Sequence, residues 1–222
     1  EVQFMSELQD PYLIQLRGVA SLPDFCVVQD YCPAGDLHGY LQKYHTKYNK
    51  APPLGFCLHV AYNISKGMEY LHSSSPPVLH RDLKSPNVLL LRTVEELEAK
   101  HSQYHLNMGV IAKITDFGLS SKCNLPCASR VVDNPLWLAP EIMDQKRYTK
   151  KVDVYAFGII LYELISSRAP FSEYNISFTW KLEEQVSNAM IHAPYTNIPV
   201  IRFERKTFAQ QSPKTAILLF LR

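Results

Sequence analysis

Residues 80–87 read His-Arg-Asp-Leu-Lys-Ser-Pro-Asn, which puts a carboxylate (Asp82), an ammonium (Lys84) and an amide (Asn87) on one short stretch. Further along, Asp116-Phe117-Gly118 comes after the strand-like run 112–115, and Ala139-Pro140-Glu141 comes after an intervening loop. Any one of these short motifs arises by chance, but the set in this order is a specific signal. The chemistry it suits is in-line phosphoryl transfer, where a protein contributes mainly positioning and charge compensation. Asp82 can orient an acceptor hydroxyl and take its proton. Asn87 and Asp116 offer the hard oxygens that Mg²⁺ prefers, and Lys84 can meet a transferring phosphate as a point charge. Taken singly, the same residues have plain structural uses, as turn formers, helix caps or a solvated cation.

Such residues need elements to hold them. Val2, Met5 and Leu8 fall on one helical face, and Asp10-Pro11 ends that helix. Residues 13–19 and 25–31 are strand-like around the turn Leu22-Pro23-Asp24, and Asp36 can cap a short helix over 37–44. Leu54, Leu58, Ala61, Met68 and Leu71 mark a long amphipathic helix, with Pro76 and Pro77 beyond it. The β-rich stretches 78–91 and 110–119 flank the polar segment 92–109, read as a surface insertion with a turn or two of helix and no part in the core. Residues 152–165 are apolar apart from Asp153 and Glu163, and fall short of the roughly 20 residues of a membrane span, so they read as a buried helix. Strands early and helices late predict an α+β fold.

Composition sets wider bounds. The 222 residues are 46% hydrophobic, enough for a real core, and the formal charge of +2 gives no pull toward nucleic acid or an anionic membrane. The five cysteines are scattered without a Cys-x-x-Cys pair, which fits reduced thiols in a cytoplasmic protein better than a disulfide framework. Cys123 and Cys127 bracket three residues, with no second pair at zinc-finger spacing.

The chain resembles a eukaryotic protein kinase. The motif at 80–87, with Pro-Leu-Trp-Leu-Ala-Pro-Glu at 135–141, is similar to the tyrosine-kinase-like group of serine/threonine kinases. The runs 1–19, 27–37 and 152–164 look most like Roco-type, leucine-rich-repeat kinases. The resemblance covers residues 1–186: 1–31 match part of a small lobe, 32–186 a mainly helical large lobe with the insertion 92–109, and 187–222 diverge as a tail. It implies a two-lobed fold, ATP and Mg²⁺ as cofactors, and a protein substrate carrying the acceptor hydroxyl in intracellular signalling. Asp82, Lys84, Asn87 and Asp116 take the catalytic positions, with Asn87 and Asp116 as the metal ligands. Gln29 matches the gatekeeper, Asp30 to Cys32 the hinge that bonds adenine, Asp36 the ribose contact, Leu89 the floor under the base, and Thr115 the cleft lining. Met5, Leu16, His80 and Phe117 match a regulatory hydrophobic spine, which makes His80 structural. Asp153 matches the aspartate that holds the 80–82 backbone, and a simple helix cap would satisfy the local sequence equally well. Arg81 matches an arginine that binds an activation-loop phosphate, with Ser120, Ser121 and Ser129 as acceptors, or else it pairs with a nearby carboxylate.

The pattern is broken in three places. No glycine-rich loop or strand-three lysine precedes Glu1, which matches the helix glutamate that would pair with that lysine. The chain on its own is therefore expected to start late and to hold ATP weakly, without activity. Asp133-Asn134 stands where Gly-Thr is usual. Glu141 has no evident arginine partner beyond residue 186, although Arg202 and Arg205 lie in the tail. The alternative reading is a catalytically silent module that works by binding proteins.

Overall fold

The computed structural model describes residues 2–100, 109–123, 135–174 and 179–188. In chain order the elements are α1 (Val2–Glu7), β1 (Leu16–Ala20), β2 (Cys26–Gln29), α2 (Leu37–Tyr48), α3 (Leu54–Ser73), β3 (Val78–Leu79), a 3₁₀ turn (Ser85–Asn87), β4 (Val88–Leu90) and α4 (Val94–Lys100). They continue with β5 (Ala112–Ile114), β6 (Ser121–Lys122), α5 (Pro140–Met143), α6 (Lys151–Ser166), a second 3₁₀ turn (Ser172–Tyr174) and α7 (Thr179–Ser187). The strands pair antiparallel as β1–β2, β3–β6 and β4–β5. This is the α+β arrangement the sequence predicts, with the early hairpin shorter than its apolar runs.

Two helices make the core. α3 buries Phe56, Val60, Ile64, Met68 and Leu71 on one stripe, as its period requires. Leu54, expected on that stripe, is 55% exposed, because it lies about 200° round the helix from the buried Phe56. α3 lies close on β5: a Cβ at Gly67 would stand 3.0 Å from the Ile114 side chain and 3.1 Å from Leu13. α6 is apolar nearly all round, and such a helix must be buried in a core or a membrane. Its Phe157, Ile159, Ile160 and Leu164 are fully enclosed. No helix among the described residues is long and apolar enough to cross a membrane.

The segment 92–109 departs from its expected role. Val94 and Leu97 of α4 are 1% and 3% exposed. The Tyr40 hydroxyl accepts a hydrogen bond from the Val94 amide at 3.0 Å, and the Tyr48 hydroxyl donates to Glu95 at 3.0 Å. The Val-x-x-Leu spacing gives one apolar edge, which α2 covers; residues 101–108 lie outside the described residues. The cysteines also depart from expectation. Cys26, Cys32 and Cys57 are free thiols, but Cys123 is disulfide-bonded, since linear spacing does not reveal which sulfurs the fold brings together. Cys127 lies outside the described residues.

The hairpin β1–β2 is joined to the rest of the molecule by charge. Asp30, just after β2, accepts from Arg17 at 2.6 Å and from Lys113 of β5 at 2.6 Å. Burial alone would raise the Asp30 carboxyl, but these two cations outweigh it and hold the group below its usual range.

Candidate active site

The loop 80–87 is fixed from beneath by α6. Asp153, 1% exposed, accepts from the backbone amides of His80 at 3.0 Å and Arg81 at 2.9 Å, and pairs with His72 of α3 at 2.8 Å. Burial pushes the Asp153 carboxyl up, yet the His72 hydrogen bond and the nearby histidines bring it below its ordinary value. The backbone this carboxylate grips is unusual, with Arg81 in the left-handed region at φ 66°. Arg81 itself donates to the Leu119 carbonyl at 2.6 Å and meets no carboxylate among the described residues. The Ser120 hydroxyl donates to the His80 carbonyl, Ser121 is partly buried in β6, and Ser129 lies outside the described residues.

His80 is fully buried and packs on Phe117 with ring centroids 5.4 Å apart. Its Nε2 lies 3.1 Å from the Thr115 carbonyl. Burial lowers its pKa, so the ring is a neutral packing element, as the resemblance implies. Met5 is buried and Leu16 half-buried against the core.

Above this base the polar residues converge. Lys84 Nζ lies 2.7 Å from Asp82 Oδ2, and Asn87 Nδ2 donates to the Asp82 carbonyl at 2.9 Å and to its carboxylate at 3.1 Å. Asn87 also reaches Asp116 Oδ2 at 3.5 Å, and the Thr115 amide donates to the Asn87 carbonyl at 3.0 Å. Residues from two separate motifs thus form one cluster. Asp116, at φ 64°, is exposed while its neighbour Phe117 is 1% exposed. The Asn87 amide nitrogen is the atom turned to both the Asp82 and the Asp116 carboxylates. An amide oxygen and a carboxylate are the hard donors that suit Mg²⁺ shared with phosphate oxygens. No group of three His, Cys, Asp or Glu residues placed to hold a metal occurs among the described residues.

The residues expected around a base are more spread out. Asp36 caps α2, accepting from the Gly39 amide at 2.8 Å, and bridges by backbone to Leu89 of β4. Leu89 and Thr115 are half-buried and Cys32 is 8% exposed. Gln29 is exposed at the end of β2, and the Asp30 side chain is committed to Arg17 and Lys113. Asp30 and Cys32 can therefore serve a ligand only through their backbones. Glu1, Asp133, Asn134, Arg202 and Arg205 lie outside the described residues; Glu141 is half-buried in the first turn of α5.

Residues 1–219 match the family described as the protein kinase domain. The chain belongs to the protein kinase family. Among its relatives, the probable serine/threonine-protein kinase pats1 of Dictyostelium discoideum is 43% identical over 85% of this chain. The probable serine/threonine-protein kinase roco6 of the same organism is 38% identical over 86%. Mitogen-activated protein kinase kinase kinase 10 of Mus musculus is 33% identical over 78%. The matches span only 5%, 8% and 17% of these proteins. This kinase domain is therefore of the Roco-like, tyrosine-kinase-like kind, with the α+β fold of that family.

Sequence reasoning missed four residues that shape this kinase site: His38, His72, Lys113 and Trp137. Glu163 gave a signal that could have led to two of them. A lone carboxylate in an apolar helix has to find donors, and Glu163 finds Trp137 Nε1 at 2.8 Å and Ser85 Oγ at 2.6 Å, with His38 Nδ1 at 3.3 Å.

Proposed function

We propose that the protein is a serine/threonine kinase that transfers the γ-phosphoryl group of ATP to a hydroxyl of a protein substrate, in cytoplasmic signalling. The observation that carries this reading is the convergence of Asp82, Lys84, Asn87 and Asp116 in one cluster, from motifs 29 residues apart. Asp82 orients the acceptor hydroxyl and takes its proton as the oxygen attacks the γ-phosphorus. The bond from that phosphorus to the β–γ bridging oxygen breaks, and ADP leaves. Lys84 meets the negative charge of the group in transit. Asn87 and Asp116 would hold Mg²⁺, which when bound neutralises phosphate charge. On the nucleotide side, the backbones of Asp30 and Cys32 would bond the base. Gln29, Leu89 and Thr115 would line its cleft, and the Asp36 oxygen not engaged by Gly39 would meet the ribose.

Asp116→Asn in the full-length protein tests the metal assignment. An amide at this place keeps the shape and loses the charge, so phosphotransfer should disappear while the circular dichroism spectrum and melting profile stay unchanged. More than about a tenth of the activity remaining would contradict the assignment, because losing such a charge contact in the transition state costs several kcal/mol.

A further inference from the structure

The Glu163 carboxylate is 3% exposed and sits in the last turn of the apolar helix α6, between the buried Tyr162 and Leu164. A charge in that position is tolerated only when its oxygens are satisfied. Oε1 accepts from the Ser85 hydroxyl at 2.6 Å and faces His38 Nδ1 at 3.3 Å, while Oε2 accepts from the Trp137 indole at 2.8 Å. Ser85 directly succeeds Lys84 in the catalytic loop. Trp137, with Leu138, Ala139 and Ile142, walls the hollow that also exposes Asp82 and Lys84. One buried carboxylate therefore fixes both the catalytic loop and the wall beside it.

Of the three donors only His38 reaches solvent, with a side chain 30% exposed against fully buried Ser85 and nearly buried Trp137. Its ring meets the Trp137 ring edge-on, centroids 6.2 Å apart at 80°. The Gln42 side-chain amide lies 2.8 Å from His38 Nε2, and the other ring nitrogen, Nδ1, faces Glu163. The arrangement reads Gln42–His38–Glu163–Trp137, running from the surface of α2 to the wall of the hollow.

We propose that His38 is a positioning residue for the protein substrate: through Glu163 it holds Trp137 in place as the wall against which the chain flanking the acceptor hydroxyl lies. This rests on the kinase reading and adds to it the residue that ties substrate affinity to a titrating side chain. The charged groups facing His38 are Glu163 from α6 and Asp36 from the turn before α2, both anionic. The hydrogen bond with Glu163, opposed in part by burial, raises the His38 pKa above 6.5. The imidazolium form, with the stronger grip on Glu163, thus prevails at low pH and is lost as pH rises through that raised value.

The test is steady-state phosphorylation of myelin basic protein by the full-length protein. His38→Ala should raise the KM for myelin basic protein about tenfold, the equivalent of one hydrogen bond to a charged group. The KM for ATP should not move. His38→Asn places an amide N–H where Nδ1–H was and should restore the KM, whereas His38→Leu, which fills space without a donor, should behave like alanine. In the wild type the KM should climb as pH rises through the His38 titration, and His38→Asn should remove that dependence. Equal KM values for the alanine and asparagine variants, or a KM for ATP that rises in step, would overturn the proposal. A second readout is independent of activity. The Trp137 indole N–H resonance, assigned by its absence in Trp137→Phe, should track the His38 titration and lose that pH response in His38→Ala. Absence of phosphotransfer in the wild type would refute the kinase reading alone; an indole resonance indifferent to His38 would refute this one.

Discussion

A carboxylate in a dry interior must be supplied with donors by whatever the fold brings to it, and for Asp153 those donors are backbone amides of the catalytic loop. Satisfying the buried charge and fixing the loop are therefore the same event. The role of Asp153 was legible in the sequence by resemblance alone, because an aspartate opening an apolar helix would serve equally well as a simple cap. His72 was not legible: it lies 81 residues away, and nothing in its neighbourhood marks it. Asp153→Asn keeps one acceptor oxygen but sets an NH₂ against the backbone amide of either His80 or Arg81, and should destabilise the fold by about 3 kcal/mol, as breaking a buried pair does. Urea unfolding measures this, and a change under about 1 kcal/mol would show that the loop is held some other way. The acid dependence carries a sign. Because the folded carboxyl titrates below its ordinary 3.8, its contribution is complete above that value and is lost as pH falls through the lower folded value. The asparagine variant should lack that part of the acid limb. Asp82, Lys84, Asn87 and Asp116 were singled out for a different reason: phosphoryl transfer, the chemistry proposed for them, admits few residue types.

At the level of elements, long periodic helices were plain and short ones were not. α3 and α6 carry enough apolar residues for period and length to decide them. β3 and β6 have two residues each, and they are defined by pairing with one another, Val78 with Lys122 and Leu79 with Ser121. α4 was the instructive error. Its polar composition pointed to a solvated excursion, but Val94 and Leu97, three apart, form a narrow apolar edge on α2. On the far side of the segment, His59 Nε2 lies 2.6 Å from the Gly109 carbonyl, and the Asn63 side chain accepts from the Ile111 and Ala112 amides. Leu97→Ala should therefore lower stability by about 2–4 kcal/mol, as for other buried leucines. Replacing 92–109 with a short Gly/Asn turn should cost at least as much and leave Tyr40 and Tyr48 without partners. Thermal unfolding of both variants checks this, and unchanged midpoints would return the segment to the surface role its composition implied.

Over the molecule as a unit, the helical body is the base on which the cluster at 82–87 and 116 is assembled, and the β1–β2 hairpin meets it through Asp30, Lys113 and the strand-like pairing of residues 12–14 with Ile114. The hairpin presents Leu22, Phe25, Val28 and Tyr31 to solvent, at 85%, 66%, 54% and 83% exposure. The run 13–19 gave a shorter strand than its composition predicts because Leu13 and Ile14 are buried beside Ile114, and only Leu16–Ala20 pairs with Cys26–Gln29. What the sequence could not reveal here is long-range closure, such as His38 meeting Glu163 across 125 residues. On the reading proposed above, this assembly moves phosphate from ATP to a serine or threonine, with Asp82 as the base. The decisive experiment incubates the full-length protein with Mg²⁺, γ-labelled ATP and myelin basic protein, then identifies the labelled amino acid after hydrolysis. Phosphoserine or phosphothreonine is expected in the wild type, with a loss of at least about a hundredfold in Asp82→Asn, the magnitude of a positioned acid–base group. Label on tyrosine, or undiminished transfer by Asp82→Asn, would contradict that reading.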